Sequence, residues 1–189
     1  MASQHTINHA TRDDVPHILA MIRELADYEH ALSFVKATEQ TLLDTLCHAS
    51  APGEAPSGPG YAKTLILRIP SSSSNPATTN SSHSYSSSCG EVVGMAMYFN
   101  NYSTWNSAPG IYLEDLYVRK EYRNKGYGKQ LIQALAKETL RIKGKRLEWS
   151  CLKWNEPSLQ FYRGLGATEM KNWVGLRVDG ESLETLGSE

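Results

Sequence analysis

Ile111–Lys129, IYLEDLYVRKEYRNKGYGK, holds three local structures in a row. Ile111 to Val118 is a run of β-branched, aromatic and aliphatic residues around two adjacent acids, Glu114 and Asp115, and it reads as a strand. Arg123-Asn124-Lys125-Gly126-Tyr127-Gly128 is a basic loop punctuated by glycine. Leu131, Ile132, Leu135 and Ile142, with Thr139, then recur at helical spacing, so the stretch predicts a strand over 111–118 and a helix over 128–143. Strand, glycine loop and helix start in that order predict an anion cradle. Free backbone N–H groups and the positive helix end converge there on one point.

The known phosphate loops narrow the anion. GxxxxGK[ST] is absent because Lys129 is followed by Gln130, and GxGxxG is absent because only Gly126 and Gly128 stand in the loop. The form present is Arg-x-x-Gly-x-Gly. Arg119, Lys120, Arg123, Lys125 and Lys129 cluster around it, and a basic cluster beside a glycine loop favours a phosphate-bearing ligand.

Working outward, His5–His9 reads as a short edge strand. Thr11-Arg12-Asp13-Asp14 supplies a T-x-x-D helix start, and Val15, Ile18, Leu19, Ile22, Leu25 and Ala26 follow at helical spacing up to Tyr28 and Glu29. Thr38 begins a second short helix through Leu42, Leu43 and Leu46. Residues 50–60 form a Pro/Gly turn region, and Ala62–Ile69 reads as a strand. Residues 70–89 contain ten serines in twenty positions and little to bury, which predicts a mobile low-complexity insertion. Strands are predicted over Glu91–Asn100 and Lys145–Cys151, with a loop over Asn101–Gly110. Asn155-Glu156-Pro157-Ser158 opens a helix with an Asn cap and Pro in the first turn. Gly166 suits its left-handed end, and Ala167–Val178 is expected to close the fold with one or two strands. This order predicts one α/β (α+β) domain over 1–189 around a mixed sheet.

Composition bounds the function. At 189 residues, 40% hydrophobic and 21% charged, the chain suits one ordinary globular domain, and a net charge of -1 gives no ground for nucleic-acid binding. Its three cysteines have no CxxC spacing, and its six histidines form neither HExxH nor a Cys/His cluster. A reducing compartment and the absence of a metal are therefore expected. No apolar run approaches the roughly 20 residues of a membrane span, and MASQHTINH lacks a signal core, so the expected location is cytoplasmic.

The glycine loop, YLEDLYV at 112–118 and WNEPSLQFYRGLGA at 154–167 resemble the GNAT superfamily of acetyl-CoA-dependent N-acetyltransferases. More narrowly, they resemble its diamine acetyltransferases, the spermidine/spermine and thialysine branches. RELADYEHA at 23–31, VVGMAMYF at 92–99 and Ser103-Thr104-Trp105 support the match, which runs from about Ile7 to Val178. The resemblance implies a splayed central mixed sheet flanked by about four helices, acetyl-CoA as cofactor and a homodimer.

It also implies residue roles. Backbone N–H groups over Arg123, Asn124, Lys125, Gly126, Tyr127, Gly128 and Lys129 would hold the coenzyme pyrophosphate. Leu116, Tyr117 and Val118 would pair with the pantetheine arm like an added strand. Asn155, Glu156, Pro157 and Ser158 would line its far side. Glu114 is expected as the base, since a lysine-like amine of pKa near 10.4 is protonated at neutral pH. Tyr162 is expected to protonate the departing thiolate. Strict strand alternation would put Glu114 and Asp115 on opposite faces, which leaves Asp115 as a substrate-side acid. Tyr28, Glu29, Trp105, Glu148, Trp149 and Ser150 are expected to bind the amine. STW lacks an acid found in polyamine enzymes, and Lys171-Asn172 precedes Trp173 where another acid is expected. Both departures favour a small lysine-like substrate over a polyamine. Two alternatives stay open: acetylation of protein lysines or N-termini, and a non-catalytic acetyl-CoA-binding regulatory protein.

Overall fold

The computed structural model describes residues 5–70 and 90–188, in two compact units, Met1–Ser150 and Cys151–Glu189. The serine-rich insertion expected at 70–89 lies, from residue 71 on, outside the described residues, as do His83 and Cys89.

The first unit is a five-stranded mixed sheet in the order β1-β2-β3-β4-β5, with β1 Thr6–His9, β2 Lys63–Ile69, β3 Glu91–Ser103, β4 Ala108–Val118 and β5 Leu147–Trp149. The first four strands are antiparallel neighbours, and β5 joins β4 in parallel. Strands β3 and β4 are longer than their apolar runs, because residues 104–107 close a tight hairpin and pairing extends to Ser103↔Ala108. The predicted 101–110 loop is thus mostly strand.

Helix α1 (Val15–Tyr28) starts where the T-x-x-D pattern placed it: Asp14 Oδ2 accepts the Thr11 N–H at 2.8 Å, through a 3-10 turn over Arg12–Asp14. Asp14 is buried and ion-paired with Arg68 of β2, which pins the helix start to the sheet. The apolar stripe Val15, Ile18, Leu19 and Met21 packs with Leu42 of α2 (Glu39–Thr45) against Ile66, Val92, Met95, Met97 and Tyr117. Each such large side chain contributes on the order of 2 kcal/mol by burial. Leu131, Ile132 and Leu135 of α3 (Tyr127–Arg141) are buried on the opposite face, where Gly94 leaves room for Leu131.

The second unit carries α4 (Glu156–Gly164) and α5 (Gly180–Gly187). Gly166 has the left-handed conformation expected of it, at φ 89°. The strands expected over 167–178 are not formed. A strand needs a neighbour to pair its backbone N–H and C=O groups, and here the alternating apolar residues Trp173, Val174, Leu176 and Val178 stand exposed. Helix α5 brings the α-helices among the described residues to five. Asp179 at its cap and Glu181 in its first turn are its sequence signal. No helix among the described residues is long and apolar enough to cross a membrane.

Candidate active site

The glycine loop follows β4 and opens α3. Asn124 (φ 63°) and Gly126 (φ 82°) both take the left-handed conformation, and Gly126 is the N-cap of α3. The helical ladder begins with Gln130 N–H to Gly126 O at 3.1 Å. The amides of Tyr127, Gly128 and Lys129 before it are first-turn donors with no carbonyl of their own helix to bond. The Lys125 ammonium lies 5.1 Å from the Tyr122 ring centre, and the Tyr122 hydroxyl donates to Glu91 at 2.6 Å, so the basic loop is tied to the start of β3.

Beside the cradle the sheet splays. β4 and β5 pair only over Ile111↔Leu147, Tyr112↔Glu148 and Leu113↔Trp149. From Glu114 onward no strand among the described residues covers that side of β4, while the other side stays paired to β3 through Leu116↔Ala96, Tyr117↔Met95 and Val118↔Gly94. Residues 114–118 thus offer backbone groups to an extended ligand.

The β3–β4 pair slips at the same point. Asp115 lies opposite Met97 and Leu113 opposite Tyr98, so Glu114 is an extra residue with no partner across the pair. This is a β-bulge, and it re-aims side chains. It corrects the expectation of strict alternation at Glu114 and Asp115. Asp115 shares the face of Met97 and Tyr117, towards α1, and its carboxyl feels both Glu114 and Glu29 at the end of α1. Burial first, then these two negative charges, push the Asp115 carboxyl up to about 6. Burial likewise raises the Glu29 carboxyl. Carboxylates that raise one another's proton affinity make this a region of concentrated negative charge.

Arg123 joins the cradle to this cluster. Its guanidinium lies 5.3 Å from the ring centres of both Tyr28 and Tyr117, and its Nε donates to Val118 O at 2.9 Å. The Tyr117 hydroxyl hydrogen-bonds Arg123 and also Glu24, which pairs with Arg119 at 3.5 Å. The Arg123 N–H is taken by Lys120 O at 3.3 Å, so this residue differs from the open amides that follow it.

The remaining expected residues divide. Tyr112 Oη and Ser150 Oγ are 2.7 Å apart beside the splay. Glu148 receives a hydrogen bond from Asn101 Nδ2 at 2.6 Å and pairs with Arg146 at 2.7 Å, so its charge is already compensated. Trp149 is half-buried opposite Leu113. Trp105 is 90% exposed at the β3–β4 hairpin tip. Glu114 lies six strand residues beyond Ala108, on the order of 20 Å away at about 3.4 Å per residue. The chain does not bring Trp105 to the carboxylates.

In the second unit, Asn155 is buried and its Oδ1 accepts the Ser158 N–H at 3.3 Å, with Pro157 in the first turn as the sequence predicts. Glu156 pairs with Arg163 at 2.9 Å. Tyr162 is half-buried on α4, its ring 5.1 Å from that of Phe161. Sequence reading missed Glu24, whose only signal was its place one turn before Tyr28.

Comparison with known proteins agrees with this architecture. The model of the acetyltransferase (GNAT) family matches residues 60–167. The chain is 34% identical to the thialysine N-epsilon-acetyltransferase of Bos taurus over 97% of each chain. It is 30% identical to the L-ornithine N5-acetyltransferase of Arabidopsis thaliana over 95% of this chain and 86% of that one. Among solved structures, an integron cassette protein from V. cholerae aligns at TM-score 0.69 and 21% identity over 98% of both chains, which shows a shared fold. An aminoglycoside N-acetyltransferase solved with CoA aligns at TM-score 0.60 and 16% identity, over 94% of this chain and 97% of that one. With a family match across more than half its length and curated relatives along nearly all of it, the chain belongs to the acetyltransferase (GNAT) family and is an acetyl-CoA-dependent N-acetyltransferase.

Proposed function

We propose that this enzyme acetylates the terminal amine of a small lysine-like molecule, of the thialysine or ornithine kind, by direct attack within a ternary complex. The observation that carries this reading is the Glu29–Glu114–Asp115 cluster at the uncovered side of β4, next to the glycine loop. An anionic recess beside an anion cradle suits a cationic acceptor and a phosphate-bearing donor. The names of the relatives, thialysine and L-ornithine acetyltransferases, point to the same amine class. Lys171-Asn172, in place of an acid before Trp173, supports a short diamine over a long polyamine, which would need more negative charge.

The residues present fit coenzyme A. The amides of Asn124 to Lys129 would hold the pyrophosphate, the Arg123 N–H being taken by Lys120 O, and Leu116, Tyr117 and Val118 would offer backbone to the pantetheine arm, with Val118 O already accepting Arg123. The resemblance would add Asn155, Glu156, Pro157 and Ser158 to the residues that hold the coenzyme. Bound acetyl-CoA supplies an acetyl group activated as a thioester. Glu114, freed from strand pairing by the bulge, takes the proton from the ammonium nitrogen. As the nitrogen–acetyl bond forms and the carbon–sulfur bond breaks, the backbone N–H near Leu116 would stabilise charge on the carbonyl oxygen, and Tyr162 would be the proton donor to the leaving sulfur. Asp115 and Glu29 hold the cation with Tyr28. No cysteine is needed as a covalent carrier, and Cys47 is buried with its thiol against Gly58 O.

The enzyme is read as a cytoplasmic homodimer. The resemblance supports the dimer, and three cysteines in the sequence with no CxxC spacing suit a reducing compartment. A thiol-release assay across thialysine, lysine, ornithine, putrescine, spermidine and a lysine peptide tests the activity. Highest kcat/KM on thialysine, lysine or ornithine is expected. Preference for the peptide would favour protein acetylation instead, and release with none of them would favour a binding protein.

A further inference from the structure

We infer that Arg123 is a positioning residue that couples the coenzyme cradle to the amine-binding end of α1, so that coenzyme and amine bind with positive cooperativity. The inference rests on the assignment of Asn124–Lys129 as the cradle. Four observations meet at this side chain. The guanidinium lies between the Tyr28 and Tyr117 rings, at 5.3 Å from each centre. Its Nε bonds Val118 O, the last carbonyl of β4. Tyr117 ties it onward to Glu24, on α1 one turn before Tyr28. The next residue, Asn124, is where the chain turns into the left-handed cradle conformation.

The end of α1 is held by Leu25 packed against the core, by Glu24 paired with Arg119, and, at Tyr28, by this contact with Arg123. The fully buried residues of the helix, Val15, Ile18, Leu19 and Met21, all lie in its first half. Beyond them Tyr28 is 38% exposed and Glu29 ends the helix, followed by His30 at φ 58°. Arg123 therefore supplies a side contact that orients Tyr28, and through it the adjacent Glu29 carboxylate that faces Asp115.

The coupling follows from the geometry of the loop. A phosphate on the amides after Arg123 favours the loop conformation that aims the guanidinium at Tyr28. A ligand shifts a conformational equilibrium only by its differential affinity, and here that difference is passed to the amine site. Lysine in this place would keep the charge but lose the planar group that stacks on two rings and the fork that reaches Val118 O.

Calorimetric titration of the full chain separates the terms. Unacetylated coenzyme A, which cannot turn over, and thialysine are titrated alone and then each into protein saturated with the other. In the wild type, coenzyme A should tighten thialysine at least about fivefold, and thialysine should tighten coenzyme A by the same factor. Arg123→Lys should reduce that factor to near one while coenzyme A alone binds within about threefold of wild type. Tyr28→Leu should do the same from the other end, and the double variant should lose nothing more. A wild-type factor of one overturns the inference, as does failure of thialysine to bind coenzyme-saturated protein. A tenfold loss of coenzyme affinity in Arg123→Lys with the factor intact also overturns it, because Arg123 would then be a direct coenzyme ligand. If coenzyme A alone fails to bind the wild type, the cradle assignment itself fails, a result distinct from the others. Melting temperatures of both variants identify any loss caused by unfolding.

Discussion

The carboxylate of Glu29, at the C-terminal end of α1, and that of Asp115, on β4, repel one another across the uncovered side of the sheet. Burial first, then Glu114 and this repulsion from Glu29, raise Asp115 to about 6, above its ordinary 3.8. A carboxyl that keeps its proton more tightly folded than unfolded favours folding fully below the unfolded value, and that advantage is lost as pH rises through 3.8 to about 6. At neutral pH the ionised Asp115 therefore costs stability, on the order of 3 kcal/mol at most.

Asp115→Asn should consequently melt higher than wild type at pH 7.5, by about 2–6 °C, and the difference should close near pH 4. The same variant should bind thialysine at least tenfold more weakly. Calorimetric melts at the two pH values and a KM measurement check both halves. A variant that is less stable at pH 7.5 would remove the repulsion from the account.

Glu114→Gln keeps the size of the side chain and removes its basicity. General-base contributions are about 10²–10⁴-fold, so kcat at pH 7.5 should fall by about 10² or more with coenzyme affinity unchanged. The deficit should shrink as pH approaches that of the free amine, near 10, where the nucleophile no longer needs a base. Initial rates from pH 7 to 10 read this directly; a deficit constant across that range would point to a positioning role for Glu114.

Tyr162→Phe removes only the proton donor at the leaving sulfur. Turnover should drop about 10–100-fold, while the Kd for coenzyme A stays within twofold. Wild-type turnover in this variant at saturating amine would exclude the assigned role.

Two glycines should respond in different ways. Gly126 has open space for a Cβ but sits at φ 82°, so Gly126→Ala should cost about 1 kcal/mol through backbone strain and weaken coenzyme A disproportionately, since the cradle amides lie next to it. At Gly94 an added Cβ would meet Tyr117 O at 2.9 Å and Val118 Cγ2 at 3.3 Å. Gly94→Ala should push β3 from β4 and lower the melting temperature with little selectivity for either ligand. Denaturation curves alongside coenzyme titrations tell the two apart.

Much of this was legible in the sequence because it is local. T-x-x-D before Val15, Thr38 before α2, Asn155-Glu156-Pro157-Ser158 before α4 and glycine at 126 and 166 act on their own neighbourhood through caps and backbone angles. The strand composition of β2, β3 and β4 was readable for the same reason. Residues 167–178 were misread because alternation marks a segment that can be a strand, while strand formation depends on a pairing edge elsewhere. Trp105 was grouped with the substrate residues by its motif, yet the length of the β3–β4 hairpin carries it away from Glu114.

By itself, then, the sequence determined where the glycine loop lies, which helix it opens, and which acids and tyrosines stand near it along the chain. Those are properties of neighbouring residues and of composition. Only the tertiary structure decided how the acids are placed. The one-residue slip between β3 and β4 frees Glu114 from pairing, the end of β5 after Trp149 uncovers β4, and the end of α1 brings Glu29 to Asp115. Register, strand separation and the field between carboxylates far apart along the chain depend on distances in space, which no local pattern encodes.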